Sequence, residues 1–406
     1  MRLVKVGSKQ FQKLCDRNSG CNKRVTGSVR KIIDNVRNYG DDAVIKYTRK
    51  FDHVKLSAKD LKVTEGETSG AYQDISPEFV STLKVILNNI NKFYSKQIKK
   101  SWKIKDEDGV MLGEKITPLD TVGVYVPSGT VPLVSSVYMT VIPAKMAGVK
   151  KIVLVTPPNS YKSVDPHILV VANLLKVDEI YKVGGAQAIA ALAFGTKTIP
   201  RVDKIVGPGN AYVTEAKRQV FGYCGIDMLA GPTEVAIIAN QMSNVSFIKA
   251  DLEAQSEHFM GLSILITNSK KMAKTFKDTD IKGYVVRVRN MDEAAEAANR
   301  LAVEHLEIIT SDHKKIAAKI TNAGAIFLGP YTPVAVGDYV AGPSHVLPTG
   351  GSARFFSGLS LSDFYKSSHI ISYTRRALEK VREPLEKVAG IESLSKHINS
   401  VKVRFD

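Results

Sequence analysis

From residue 120 onward, short apolar runs alternate with amphipathic stretches, and this alternation restricts the fold more than any other feature of the chain. Segments 122–126, 151–156, 179–183 and 203–206 read as strands, separated by helical patterns at 134–147, 167–176 and 186–194. A second series follows. Strands are expected at 234–238, 262–267, 306–310 and 325–328, with helices near 244–257, 269–277, 291–303 and 313–321. Alternation of this kind gives parallel sheets, because a parallel neighbour is reached only through a crossover. Aromatics make up only 7% of the 406 residues while 44% are hydrophobic. The core must therefore be aliphatic, as in sheets covered by helices on both faces. The expected class is α/β, with two open units of similar build, the first inserted between the N-terminal helices and the second.

The flanks read differently. Residues 25–51 predict two helices joined at Tyr39-Gly40-Asp41. Residues 76–99 predict one long helix that starts at Ser76-Pro77. Phe79, Leu83, Ile86, Ile90 and Phe93 recur in it at spacings of three and four, which marks a core face. The tail from about Leu361 is charged and reads as helical. It is too polar to form a core alone.

Several function classes fall away. Apolar runs such as 141–157 are broken by lysines, whereas a membrane helix needs about 20 apolar residues in a row. Met1 to Leu14 has no apolar signal core, so the cytoplasm is the expected compartment. Cys15, Cys21 and Cys224 show no C-x-x-C spacing and read as inert thiols in a reducing compartment. The net charge of +17 is spread along the chain among acidic residues. Its densest basic stretch, 92–105, carries no nucleic-acid-binding motif, so nucleic acid is not an expected partner.

The glycine turns point to a ligand. No strand is followed by the G-x-G-x-x-G turn of a dinucleotide fold. Gly184-Gly185 nevertheless closes one strand and opens the helix with Gln187, and Gly207-Pro208-Gly209-Asn210 does the same before Tyr212. Gly123-Val-Tyr125-Val-Pro-Ser-Gly129 ends the first strand. Such turns let backbone N–H groups approach an anion or a ribose, and ligands of open sheets bind at those strand ends.

Taken together, the motifs resemble histidinol dehydrogenase. They are Gly123-Val-Tyr-Val-Pro-Ser-Gly-Thr, Val183-Gly-Gly-Ala-Gln, Val206-Gly-Pro-Gly-Asn-Ala-Tyr-Val, Ala230-Gly-Pro-Thr-Glu-Val, Gln255-Ser-Glu-His258, Glu304-His305-Leu, Gly337-Asp-Tyr and Ser344-His-Val-Leu-Pro-Thr-Gly. The similarity runs from about residue 25 to the end. It implies two incomplete Rossmann-like domains with parallel sheets, plus small helical terminal segments. The expected division is a 1–24 N-terminal helical segment, a first Rossmann-like domain of 25–121 with 233–360, an inserted second one at 122–232, and a tail domain at 361–406. It also implies a homodimer in which each tail completes the partner's site.

The resemblance implies NAD and Zn2+ as cofactors and L-histidinol as substrate, oxidised in four electrons through L-histidinal to L-histidine. Zinc ligands fall on Gln255, His258, Asp338 and His397. Alone, His258 reads as an ordinary helical histidine and His397 as a solvated tail residue. The set of two imidazoles and two oxygen donors, without thiolate, suits an open catalytic zinc site. Glu304 and His305 become the acid–base pair, His305 taking the alcohol proton and Glu304 activating the water that hydrates the aldehyde. Substrate contacts fall on Thr233, Gln255, His258, His305, Asp338, Glu392 and His397. NAD contacts fall on Tyr125, Gln187 and Asn210. The other histidines read as structural, with His345 worth watching because it follows Asp338 by seven residues.

The chain departs from the family pattern at three places. Thr233 replaces a serine, Phe259 follows His258, and Val303 precedes Glu304. A zinc-dependent paralogue acting on another small alcohol is the alternative these departures leave open.

Overall fold

The computed structural model describes residues 1–17, 23–128, 131–258 and 260–406. Cys21, Gly129 and Phe259 lie outside these residues. The chain opens with strand β1 (Arg2–Lys5) and helices α1 (Lys9–Cys15), α2 (Lys23–Phe51), α3 (Glu65–Ala71) and α4 (Pro77–Tyr94). Strands β2 (Trp102–Lys105) and β3 (Met111–Pro118) precede the first series. That series is β4 (Thr121–Tyr125), α5 (Val134–Ala147), β5 (Lys151–Thr156), α6 (Pro166–Leu174), β6 (Glu179–Lys182), α7 (Gly185–Phe194), β7 (Lys204–Val206), α8 (Ala211–Val220) and β8 (Gly225–Ile226). The second is β9 (Glu234–Ala239), α9 (Val245–Gln255), β10 (Leu262–Thr267), α10 (Lys270–Lys277), β11 (Gly283–Arg287), α11 (Met291–Leu301), β12 (His305–Ile309), α12 (His313–Ala317), β13 (Ala325–Leu328) and α13 (Val334–Tyr339). The chain closes with β14 (Tyr365–Ser372), α14 (Arg375–Lys380), α15 (Arg382–Ile391) and α16 (Ser395–Lys402).

The first series forms a five-stranded sheet in the order β6-β5-β4-β7-β8, and the second a six-stranded sheet in the order β1-β11-β10-β9-β12-β13. Every neighbour pair in both is parallel. The α/β class and the two parallel sheets are as the alternation requires. By contact the chain divides into two compact units, Met1–Gln97 with Leu119–Phe364, and Ile98–Pro118 with Tyr365–Asp406. Both parallel sheets belong to the first.

Several assignments made from sequence need correction. The 1–24 segment is not purely helical, because β1 pairs with β11 as an edge of the six-stranded sheet. Residues 25–51 do bend at Gly40 (φ 52°), but they pack on the inserted sheet. Val29, Ile32, Val36 and Val44 of α2 share a core with Ala188 to Ala193 of α7. Small alanines present a flat face on which the apolar stripe of α2 can lie closely. In α4 the Ser76 hydroxyl accepts from Phe79 N–H, as the start signal predicts. Leu83 and Ile90 are buried, but Phe93 is exposed and Tyr94 takes its place inside.

The tail is not all helix. In the second unit, β14 pairs antiparallel with β3 along its whole length, and β2 lines the other edge of β3. Asp108, in the turn between β2 and β3, receives Lys380 of α14 at 2.6 Å. The tail thus builds its own small unit by recruiting residues 98–118.

Candidate active site

Glu304 ends the loop before β12 and His305 is its first residue, beside the start of β9. The two side chains are buried, at 6% and 4% exposure. Glu304 Oε2 accepts the Thr233 hydroxyl at 2.5 Å and the Glu234 N–H at 2.8 Å. His305 Nδ1 lies 3.1 Å from the Glu234 carbonyl oxygen and 3.5 Å from Glu304 Oε2. A carbonyl only accepts, so this bond assigns the proton to Nδ1 and leaves Nε2 as the working nitrogen. Nε2 is 3.4 Å from Asp338 Oδ1.

The electrostatics follow from this packing. Burial pushes the Glu304 carboxyl up to about 7, against the pull of His305 and the Thr233 and Glu234 hydrogen bonds. Burial disfavours the His305 charge, but Glu304 and then Asp338 outweigh it and raise the imidazole to about 9. Between those values the dyad is carboxylate and imidazolium. An imidazole near its ordinary pKa, as the sequence suggests, is therefore not what the fold builds.

Residues that the sequence reading missed hold this arrangement. Glu234, the first residue of β9, takes a forked bond from Arg17 at 2.6 and 2.5 Å and a third from Gly350 N–H. Glu307, two residues along β12, accepts Val334 N–H at the start of α13, the helix that carries Asp338. Burial raises both Glu307 and its hydrogen-bonded neighbour Asp251 of α9, so one proton is held between them. The signal was present: Glu234 and Glu307 are charges inside otherwise apolar strands, which calls for a buried partner. His345 hydrogen-bonds Ser135 at 3.1 Å, and burial lowers its pKa although Asp338 opposes this.

Among the metal donors expected from sequence, Gln255 and His258 adjoin each other, His258 N–H donating to the Gln255 carbonyl at 3.3 Å. Gln255, the last residue of α9, is buried with its Nε2 unpartnered. Such an amide has capacity for a ligand. His258 follows in an exposed turn. Asp338 faces His305. Glu392 and His397 lie in the second unit, both exposed. Among the described residues no group of three His, Cys, Asp or Glu side chains is close enough to hold a metal ion. The donor types still fit zinc, with an amide, a carboxylate and an imidazole from the first unit.

The residues expected from sequence to meet NAD lie on the inserted sheet at the carboxyl ends of its strands. Tyr125 ends β4. Its hydroxyl accepts Gly185 N–H at 3.1 Å, and burial pushes the phenol up to about 12. Gln187 is 1% exposed, and both its amide atoms lack partners. Asn210 spends its Oδ1 on capping α8, accepting from Tyr212 and Val213 N–H. Its amide donor remains for a ligand.

The model of the histidinol dehydrogenase family matches residues 15–405. The chain belongs to that family. It is 46% identical to histidinol dehydrogenase of Clostridium acetobutylicum, over 98% of this chain and 96% of that protein. Against the Listeria innocua histidinol dehydrogenase the identity is 44%, over 96% and 95%. The crystal structure of histidinol dehydrogenase from Elizabethkingia anophelis superposes with a TM-score of 0.92 at 33% identity, covering 100% of this chain and 98% of that one. Membership in the histidinol dehydrogenase family makes the chain an oxidoreductase. No described helix is long and apolar enough to cross a membrane.

Proposed function

We propose that this enzyme oxidises L-histidinol through L-histidinal to L-histidine, the closing steps of histidine biosynthesis, with NAD as hydride acceptor and zinc as a bound cofactor. The observation that carries the reading is the buried Glu304–His305 dyad, with Asp338 on one side and the Thr233 hydroxyl on the other. Tyr125, Gln187 and Asn210 would hold a nicotinamide cofactor, which would supply the hydride acceptor. Gln255, His258, Asp338 and His397 would hold zinc, which would supply a Lewis-acid anchor for the amino alcohol.

The chain's own residues then handle protons. His305 Nε2 takes the hydroxyl proton of the alcohol as the hydride departs. Its base form grows as the pH rises towards 9, since Glu304 and Asp338 favour the imidazolium. The aldehyde must be hydrated before a second hydride can leave. Glu304, ionised above about 7, takes a proton from the attacking water, while its own Oε2 stays fixed by Thr233 and Glu234. His305 accepts the gem-diol proton in the second oxidation. In all, one alcohol, one water and two oxidised nicotinamides yield one carboxylate, two reduced nicotinamides and three protons.

Glu392 and His397 complete the site from the partner in a homodimer, which the proposal takes to be cytoplasmic. Glu392, in the turn after α15, and His397, on α16, are both exposed, which leaves the two side chains available to a second copy. The test is NADH yield. Two per L-histidinol, abolished by a chelator and restored by zinc, are expected. One per alcohol, or a preference for another small alcohol, favours the paralogue that Thr233 leaves open.

A further inference from the structure

A buried ion pair lies beneath the second glycine turn. Lys217 of α8 and Asp227 have side chains only 3% and 0% exposed. Lys217 Nζ donates to Asp227 Oδ1 and, at 3.0 Å, to the Gly207 carbonyl. Asp227 Oδ2 accepts the Gly207 N–H at 2.8 Å, and Oδ1 accepts Met228 N–H at 2.6 Å. One ion pair therefore binds both polar groups of a single glycine. That glycine has φ +114°, and a Cβ on it would collide with the Tyr125 carbonyl oxygen. Gly207 thus closes directly on the end of β4 and fixes where the 207–210 turn begins.

Stability alone does not explain the pair. Well-packed apolar residues of similar volume are often as stabilising as a buried ion pair, or more so. Apolar residues could not hold a glycine carbonyl and N–H at once. We propose that Lys217 and Asp227 are positioning residues for cofactor binding, holding Gly207 so that the turn keeps the shape a dinucleotide requires. The proposal rests on the dehydrogenase reading above. The disturbance it predicts is local. Downstream of Asp227 the chain is pinned again by Thr214 on the Ala230 carbonyl at 2.7 Å and by Thr349 on Gly231 N–H at 2.5 Å, before it reaches Thr233. Loosening Gly207 should weaken NAD binding and leave the dyad in place.

The deciding variant is the double Lys217→Met/Asp227→Asn. It removes both charges together, but the single amide oxygen that replaces the carboxylate can accept only one of Gly207 N–H and Met228 N–H. The Lys217 bond to the Gly207 carbonyl and one of these two bonds are then lost, with no lone charge left buried. The double variant should therefore melt later than the single Lys217→Met. KM and Kd for NAD should rise on the order of tenfold, while kcat and the KM for histidinol change less than about twofold. The single Lys217→Met leaves a lone buried carboxylate and should also melt earlier. An unchanged Kd for NAD in the double variant, or parallel rises in both KM values, overturns the positioning role alone. Failure of the unaltered enzyme to reduce NAD overturns the dehydrogenase reading, and the proposal with it.

Discussion

Glu304 and His305 make opposite demands on one proton. Burial favours the neutral acid, the neighbouring imidazolium favours the carboxylate, and burial wins as far as about 7. The sign of the resulting pH dependence follows. The Glu304 carboxylate, the proposed activator of water, is present above about 7 and is lost as the pH falls through it. Oxidation of L-histidinal, assayed apart from the alcohol, should therefore fall tenfold per unit below that midpoint. The Thr233 hydroxyl donates to the same oxygen and favours the ionised form. Thr233→Val should move the limb to higher pH, and Thr233→Ser should leave it in place. Identical profiles for valine and serine would show that the hydroxyl does not tune Glu304. Replacing His305 with Asn should cut turnover roughly 10²- to 10⁴-fold while metal content, read by atomic absorption, stays unchanged. A loss of metal instead would make His305 a ligand. At this scale the sequence was legible only through family motifs. An adjacent Glu-His pair is ordinary surface chemistry until a fold buries it, and the imidazole's upward shift comes from Glu304 first and then from Asp338, which sequence spacing cannot bring near.

The elements divide the chemistry between two sheet edges. The proposed cofactor contacts follow the strand ends of β4, β6 and β7, where open sheets bind ligands. The dyad instead sits at the amino ends of β9 and β12, held by the Arg17–Glu234 fork from the chain's first turns. Among the described residues, Arg17 is the cation that pairs with this carboxylate, which is 4% exposed. Arg17→Met should therefore destabilise the fold by about 3 kcal/mol or more in urea unfolding, because it strands a buried charge. A shift under about 1 kcal/mol would mean that Gly350 N–H suffices. Most strands of the two parallel series were legible because each is a continuous apolar run flanked by helices. Those overlooked have short or mixed runs: Arg2–Lys5, Gly283–Arg287 and Gly225–Ile226, and the half-polar β2, β3 and β14. β1 and β14 also pair with strands far along the chain, so no local pattern announces them.

At the scale of the whole molecule, the first unit holds the dyad and three of the four proposed metal donors, and the second holds Glu392 and His397. If each site takes its tail residues from the partner copy, the two defects can be complemented across a dimer. A chain with Glu304→Ala keeps a sound tail, and one with His397→Ala keeps a sound dyad. In a mixed dimer, one site joins the sound dyad to the sound tail and the other carries both lesions. Co-refolding equal amounts gives half mixed dimers by chance, so roughly a quarter of the unaltered activity should return. Each variant refolded alone should stay inactive. A site built wholly within one chain predicts no recovery at any mixing ratio, because every chain then carries its own defect. Size-exclusion chromatography of the mixture excludes the trivial failure, since inactive monomers would elute late. Inactive dimers would place the fourth donor in the same chain as Asp338.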